Sequence, residues 1–150
     1  MLERAGVWLF LWGEEIIVDI QNYNLRHINR IVQTPKLQTK SKFTSFYGNP
    51  KANKRKEAWN LLKFLATLNP TPWICIGYFN EVLIQSEKWG GRGRLNRQMR
   101  EFQKALEHCE LFDMGYKGPK FTWNNCQESQ TFVKERLDRG VVNRDWYELY

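Results

Sequence analysis

The run Trp73-Ile74-Cys75-Ile76-Gly77-Tyr78-Phe79-Asn80-Glu81 constrains the fold more than any other part of the chain. Its first four residues are apolar on both faces, a pattern expected of a strand buried on both sides. Pro70 and Pro72 punctuate its start, Gly77 is expected to end it, and a loop then carries Tyr78, Asn80 and Glu81. A rigid central strand that delivers small polar groups onto a loop is a common way to hold a functional site. The chain should therefore be a sheet built around this strand.

The pattern around it is mixed. VWLFLW (Val7–Trp12), Gly13-Glu14-Glu15 and IIVDI (Ile16–Ile20) read as two strands joined by a tight polar turn. HINRIV (His27–Val32) and KFTSFY (Lys42–Tyr47) read as a second pair, and both pairs suit an antiparallel sheet. After the break at Gly48-Asn49-Pro50, the stretch Lys51–Asn69 puts Ala58, Leu61, Leu62, Leu65 and Leu68 on one helical face. Glu81–Arg97 is a long loop with Gly90, Gly91 and Gly93. A second amphipathic helix follows, with Met99, Phe102, Leu106 and Cys109 as its core stripe. LFDMGY (Leu111–Tyr116) and KFTWNN (Lys120–Asn125) are expected strands, followed by TFVKERLDRGVV (Thr131–Val142) and an aromatic tail. Hairpin-like strands with two helices predict an α+β domain, and 150 residues fit a single one, residues 1–150.

Charge narrows the partners. Lys and Arg number 23 against 16 Asp and Glu, a net charge of +7, which favours polyanions and most simply nucleic acid, DNA or RNA. The other reading of this charge is a basic domain with no such role. Lys51, Lys54, Arg55 and Lys56 crowd a helix start, where the macrodipole disfavours positive charge unless an anion binds there. A solvated lysine-rich face accounts for the same residues equally well. Arg92 and Arg94 in the glycine-rich loop complete the candidate nucleic-acid contacts. Cys75, Cys109 and Cys126 have the spacing of neither a disulfide framework nor a zinc site, so a reduced intracellular compartment is expected. VWLFLW is too short to span a membrane and lacks a signal peptide's flanks. No GKS-type phosphate loop, HExxH or nucleophilic Ser or Cys motif is present.

The run GYFNE (Gly77–Glu81) resembles the GDFN(E) motif of the endonuclease/exonuclease/phosphatase, or DNase I-like, superfamily, and especially the endonuclease domains of non-LTR retrotransposons. FYGNP (Phe46–Pro50), SEKWGG (Ser86–Gly91), GPKFTW (Gly118–Trp123) and ERLDR (Glu135–Arg139) resemble other runs of those proteins, in the same order. The resemblance implies part of a four-layer αββα sandwich, Mg²⁺-assisted phosphodiester hydrolysis and, for retrotransposon relatives, a nuclear location. By position, it makes Tyr47 the tyrosine that contacts the scissile phosphate and Asn80 the amide that orients phosphate and attacking water. It makes Asp138 the carboxylate that orients a catalytic histidine. Each has a plainer reading: Tyr47 as the cap of a core strand, Asn80 as a turn residue bonding its own backbone, Asp138 as an ion-pair partner of Arg136 and Arg139.

Three departures from the family pattern bear on activity. Tyr78 occupies the motif's aspartate position, and a phenol with a pKa near ~10 cannot replace an acceptor-only carboxylate at neutral pH. The Ser-Asp-His run has no match, since His27 lies in a strand pattern and His108 in a helix pattern. The metal-binding glutamate would lie upstream of Met1, and Glu3, Glu14 and Glu15 do not match it. The expectation is an incomplete DNA-nicking domain that is degenerate and inactive, with no metal ligand of its own and doubtful Mg²⁺ binding. The alternatives are a non-catalytic basic nucleic-acid-binding module and a phosphodiesterase completed by another chain. Missing terminal strands would leave unpaired edges and uncovered apolar faces, so self-association is expected as well.

Overall fold

The structure, a computed structural model, describes residues 16–35 and 38–150. Val7–Trp12, the Gly13-Glu14-Glu15 turn and Glu3 lie outside the described residues.

β1 (Ile17–Asn24), β2 (His27–Gln33) and β3 (Lys40–Tyr47) form an antiparallel meander. IIVDI therefore extends into a longer strand whose partner is the HINRIV strand. The turn between β1 and β2 is closed by Asn24, whose Oδ1 accepts the N–H groups of Arg26 and His27 at 2.7 and 3.1 Å. From β3 the chain crosses through α1 (Arg55–Thr67) to β4 (Trp73–Tyr78), which lies parallel to β3. β9 (Asp138–Val142) runs antiparallel to β4, and β6 (Phe112–Asp113) completes a six-stranded sheet in the order β1-β2-β3-β4-β9-β6. β5 (Lys88–Trp89), β8 (Lys134–Glu135) and β7 (Trp123–Asn124) form a second, three-stranded antiparallel sheet in the order β5-β8-β7. α2 (Asn96–His108) follows β5, and the aromatic tail forms α3 (Arg144–Leu149), capped by Asn143 accepting from the Trp146 N–H. The domain is α+β, with two mostly antiparallel sheets.

WICI is a central strand, as its composition requires. Trp73, Cys75, Phe46 and Val141 meet Trp59, Leu62 and Leu65 of α1 and Phe102, Ala105 and Leu106 of α2 in one core. Three aromatic contacts tie it together: Trp59 stacks on Phe102 at 4.5 Å, and Phe79 lies 5.0 Å from Phe46 and 5.4 Å from Phe102. Lys42 is buried beneath the end of α1, where its Nζ donates to the Leu65 and Leu68 carbonyls, both at 2.7 Å. A cation there satisfies carbonyls that the helix itself leaves open.

Several expectations are corrected. Gly77 does not end the strand, which runs on to Tyr78. A Cβ at Gly77 would sit 1.8 Å from the Phe46 carbonyl oxygen, so its hydrogen permits close approach of the parallel neighbour. The first helix begins at Arg55 after a 3-10 turn over Ala52–Lys54, because Asn49 Oδ1 takes the Lys51 N–H at 3.0 Å and holds the entry in a turn. LFDMGY and KFTWNN shrink to two-residue strands. The loop Glu81–Arg97 contains a 3-10 turn at Gln85–Glu87 and β5. On the face of the large sheet away from α1 and α2, Ile76, Phe112 and Met114 are exposed. No helix among the described residues is long and apolar enough to cross a membrane.

Candidate nucleic-acid site at the strand ends

Because β3 and β4 are parallel and in register, both end at the same edge, with Tyr47 paired to Tyr78. β9 enters the same edge from the opposite direction and sets Asp138 beside Tyr78. Peptide groups fasten the three segments together. Gly48 N donates to Tyr78 O at 2.7 Å, Phe79 N to Leu137 O at 2.9 Å, and Asn80 Nδ2 to Gly48 O at 2.7 Å. Gly48 is required for this closeness, since a Cβ there would lie 2.2 Å from Phe79 O. Asn80 takes a left-handed backbone conformation (φ 61°), which asparagine tolerates better than most residues. Tyr47, Tyr78, Asn80 and Asp138 are therefore brought together by backbone geometry.

The plainer readings of these residues can now be compared with their contacts. Asn80 bonds across to Gly48, not to its own backbone. Tyr47 is half-buried at the strand end, its ring stacked on Tyr78 at 5.8 Å and 15°, with the Arg26 guanidinium 5.3 Å from the ring centre. Arg136 and Arg139 leave Asp138 alone and pair with Glu87 and Asp113. Thr122 bonds that strand instead, its Oγ accepting the Leu137 and Asp138 N–H groups at 3.1 Å each. Burial pushes the Asp138 carboxyl above its ordinary value, with the Thr122 hydrogen bond pulling the other way. Burial first, then the neighbouring Asp138 and Tyr47, push the Tyr78 phenol up to about 12.

The basic residues divide. Lys51, Lys54, Lys56 and Arg92 are exposed. Arg55 is turned inward, 2.6 Å from the fully buried Glu81, and is not part of the basic surface. Arg94 is also largely occupied, at 3.0 Å from Glu135 and 3.5 Å from Glu81, while Lys88 bonds Glu135 at 3.0 Å. The second network joins Glu87 to Arg136 at 2.8 Å and to Arg139 at 2.7 Å, with Asp113 completing it. Burial alone would raise the Glu87 and Asp113 carboxyls, but hydrogen bonds and charge from Arg139 and Arg136 outweigh it and hold both below the ordinary range. Sequence reasoning missed Arg26, Thr122 and this pairing of acids and arginines; alternating charge in ERLDR was its one local signal.

Among the described residues the strand-end cluster offers a divalent cation a single free carboxylate. Oxygen-rich sites of this kind use one or more free carboxylates. Among the described residues Asp138 is the only carboxylate at the strand-end cluster, and Glu81, Glu87, Asp113 and Glu135 are all held by cations. Among the described residues no group of three or more His, Cys, Asp or Glu could hold a metal ion.

No protein-family model matches the chain, and no curated protein matches it. Solved structures do. The endonuclease domain of TRAS1, a telomere-specific non-LTR retrotransposon, superposes with a TM-score of 0.71 at 14% identity, covering 93% of this chain and 61% of that one. The 3′ phosphatase NExo from Neisseria, bound to a product DNA hairpin, gives a TM-score of 0.58 at 13% identity over 87% of this chain and 58% of that one. An endonuclease/exonuclease/phosphatase family protein from Leptotrichia buccalis gives 0.53 at 15% identity over 89% and 50%. The chain spans about three-fifths of the TRAS1 domain or less of these relatives' lengths. It has the DNase I-like fold, and the resemblance read from GYFNE, SEKWGG and ERLDR agrees with that fold.

Proposed function

We propose that this chain is a nuclease-type domain that keeps a surface for nucleic acid and has lost hydrolytic chemistry. The observation that carries the reading is Tyr78, which stands between Tyr47 and Asp138 where the family motif has its aspartate. With its phenol pushed up to about 12, Tyr78 is neutral at physiological pH and donates where a carboxylate would accept. Losing a catalytic base costs about 10²–10⁴ in rate. Tyr47, Asn80 and Asp138 still gather polar atoms at the strand ends, and the exposed Lys51, Lys54, Lys56 and Arg92 are suited to phosphates. Binding of this kind needs no Mg²⁺. The proposed partner is DNA, which would place the chain in the nucleus. We also propose that the exposed apolar residues of the large sheet promote self-association.

Supercoiled DNA incubated with the chain, in Mg²⁺ and in EDTA, tests the reading. Salt-sensitive retention of DNA without nicking is expected. Metal-dependent nicking by the unaltered chain would overturn the loss of chemistry and favour a working phosphodiesterase. Tyr78→Asp alone is expected not to restore nicking, because among the described residues Asp138 would remain the only other carboxylate at the cluster.

A further inference from the structure

Beside the strand-end cluster lies a cavity of about 220 Å³ lined by Asn24, Arg26, Asn49, Glu57, Ala58 and Leu61. Ala58 and Leu61, on α1, give it an apolar lining, and its polar rim carries groups that the fold engages only in part. Asn24 Oδ1 accepts from the β1–β2 turn and lies 3.0 Å from His27 Nδ1. Asn49 Oδ1 accepts the Lys51 N–H. With both carbonyl oxygens engaged, each asparagine has its amide NH₂ left over, and neither meets an acceptor among the described residues. Asn49 is only 7% exposed, so the side chain that carries this open donor is held in place at the rim. The Glu57 carboxylate and the Arg26 guanidinium are in no ion pair or side-chain hydrogen bond among the described residues.

Two amide donors, a guanidinium and one carboxylate around an apolar lining fit a flat heterocycle with adjacent N–H donors on one edge and acceptors on another. We propose that the cavity takes one unstacked guanine base of a nucleic-acid strand whose phosphates meet Lys51 and Lys54. The inference rests on the nucleic-acid reading above. The Glu57 carboxylate accepts from guanine N1–H and N2–H₂, one bond to each oxygen, while Asn24, Asn49 and Arg26 donate to O6 and N7. Adenine turns an acceptor toward the carboxylate, and thymine or uracil offers it a single N–H. The volume is below the ~300–1,000 Å³ of sites for drug-sized ligands, which suits a base with its sugar and phosphate outside. Arg26 spans the cavity and the Tyr47 ring, and Asn49 follows Tyr47 and Gly48 in the chain, so a bound strand would pass over the tyrosine pair. Single-stranded recognition commonly reads splayed bases on these edges.

Fluorescence anisotropy with labelled oligothymidine carrying one central guanine, one central inosine or neither tests the proposal. The guanine strand is expected to bind about tenfold tighter than the all-thymine strand, with the inosine strand, which keeps N1–H, O6 and N7, in between. Inosine lacks N2–H₂, and Glu57→Gln, on an exposed helix position, should reduce the guanine strand to the affinity of the all-thymine strand. Equal, salt-sensitive binding of all three strands would overturn the guanine site and leave the nucleic-acid reading standing. Binding of none would overturn that reading. Free guanosine titrated against the chain by NMR then decides the cavity alone: shifts at Asn49 and Glu57 support it, and their absence overturns it.

Discussion

Gly77 and Gly48 set the geometry of the strand-end site from positions that contribute no side chain. At Gly77 an added methyl would meet the Phe46 carbonyl at 1.8 Å, and backbone cannot move aside as a flexible side chain can. Gly77→Ala is therefore expected to cost about 3 kcal/mol or more, the upper part of the overpacking range. Gly115→Ala, where nothing lies within 4 Å and the only strain is a positive φ of 80°, should cost about 1 kcal/mol. Urea titrations of both variants check the contrast, and equal losses would refute the close-approach argument. At this scale the site was partly legible. Tyr47, Asn80 and Asp138 stand in short motifs that fix their place on strand ends. Arg55 and Arg94 were misread as surface cations because their partners, Glu81 and Glu135, lie 26 and 41 residues away. Local charge density says nothing about such pairing.

Among the elements, β8 and β9 hold the two sheets in fixed relation through ERLDR. Glu135 faces Arg94 and Lys88, while Arg136 and Arg139 face Glu87 and Asp113. Removing one partner of a buried set strands the others, so Glu87→Gln should cost about 3–5 kcal/mol in chemical denaturation. The same acids set an acid limit. Their folded pKa values lie below the unfolded ones, so their contribution is full above about pH 5 and is lost as pH falls through the folded values. Stability measured from pH 6 to pH 3 should fall more steeply in the parent than in Glu87→Gln. Parallel slopes would remove this network as the cause. Elements with strong periodicity, such as WICI and the Met99-Phe102-Leu106 stripe, were readable from sequence. The helix start at Arg55 and the two-residue strands were not, because an asparagine turn and tertiary pairing decide them.

For the molecule as a whole, one face of the large sheet is covered by α1 and α2, while Ile76 (39% exposed), Phe112 (41%) and Met114 (54%) are open on the other. Apolar groups this close together favour contact with another surface. Sedimentation velocity should show a weight-average coefficient that rises with protein concentration, and Ile76→Lys with Met114→Lys should suppress the rise. A single, concentration-independent monomer would sink this expectation. The α+β class and the order of motifs were visible in the sequence, whereas the unequal size of the two sheets depends on long-range pairing that no local pattern encodes. The bonds that close the strand ends, Gly48 N to Tyr78 O and Phe79 N to Leu137 O, come from peptide groups. The side chain at position 78 makes none of these closing bonds, so the path of the backbone at the strand ends and the chemistry presented there rest on different atoms.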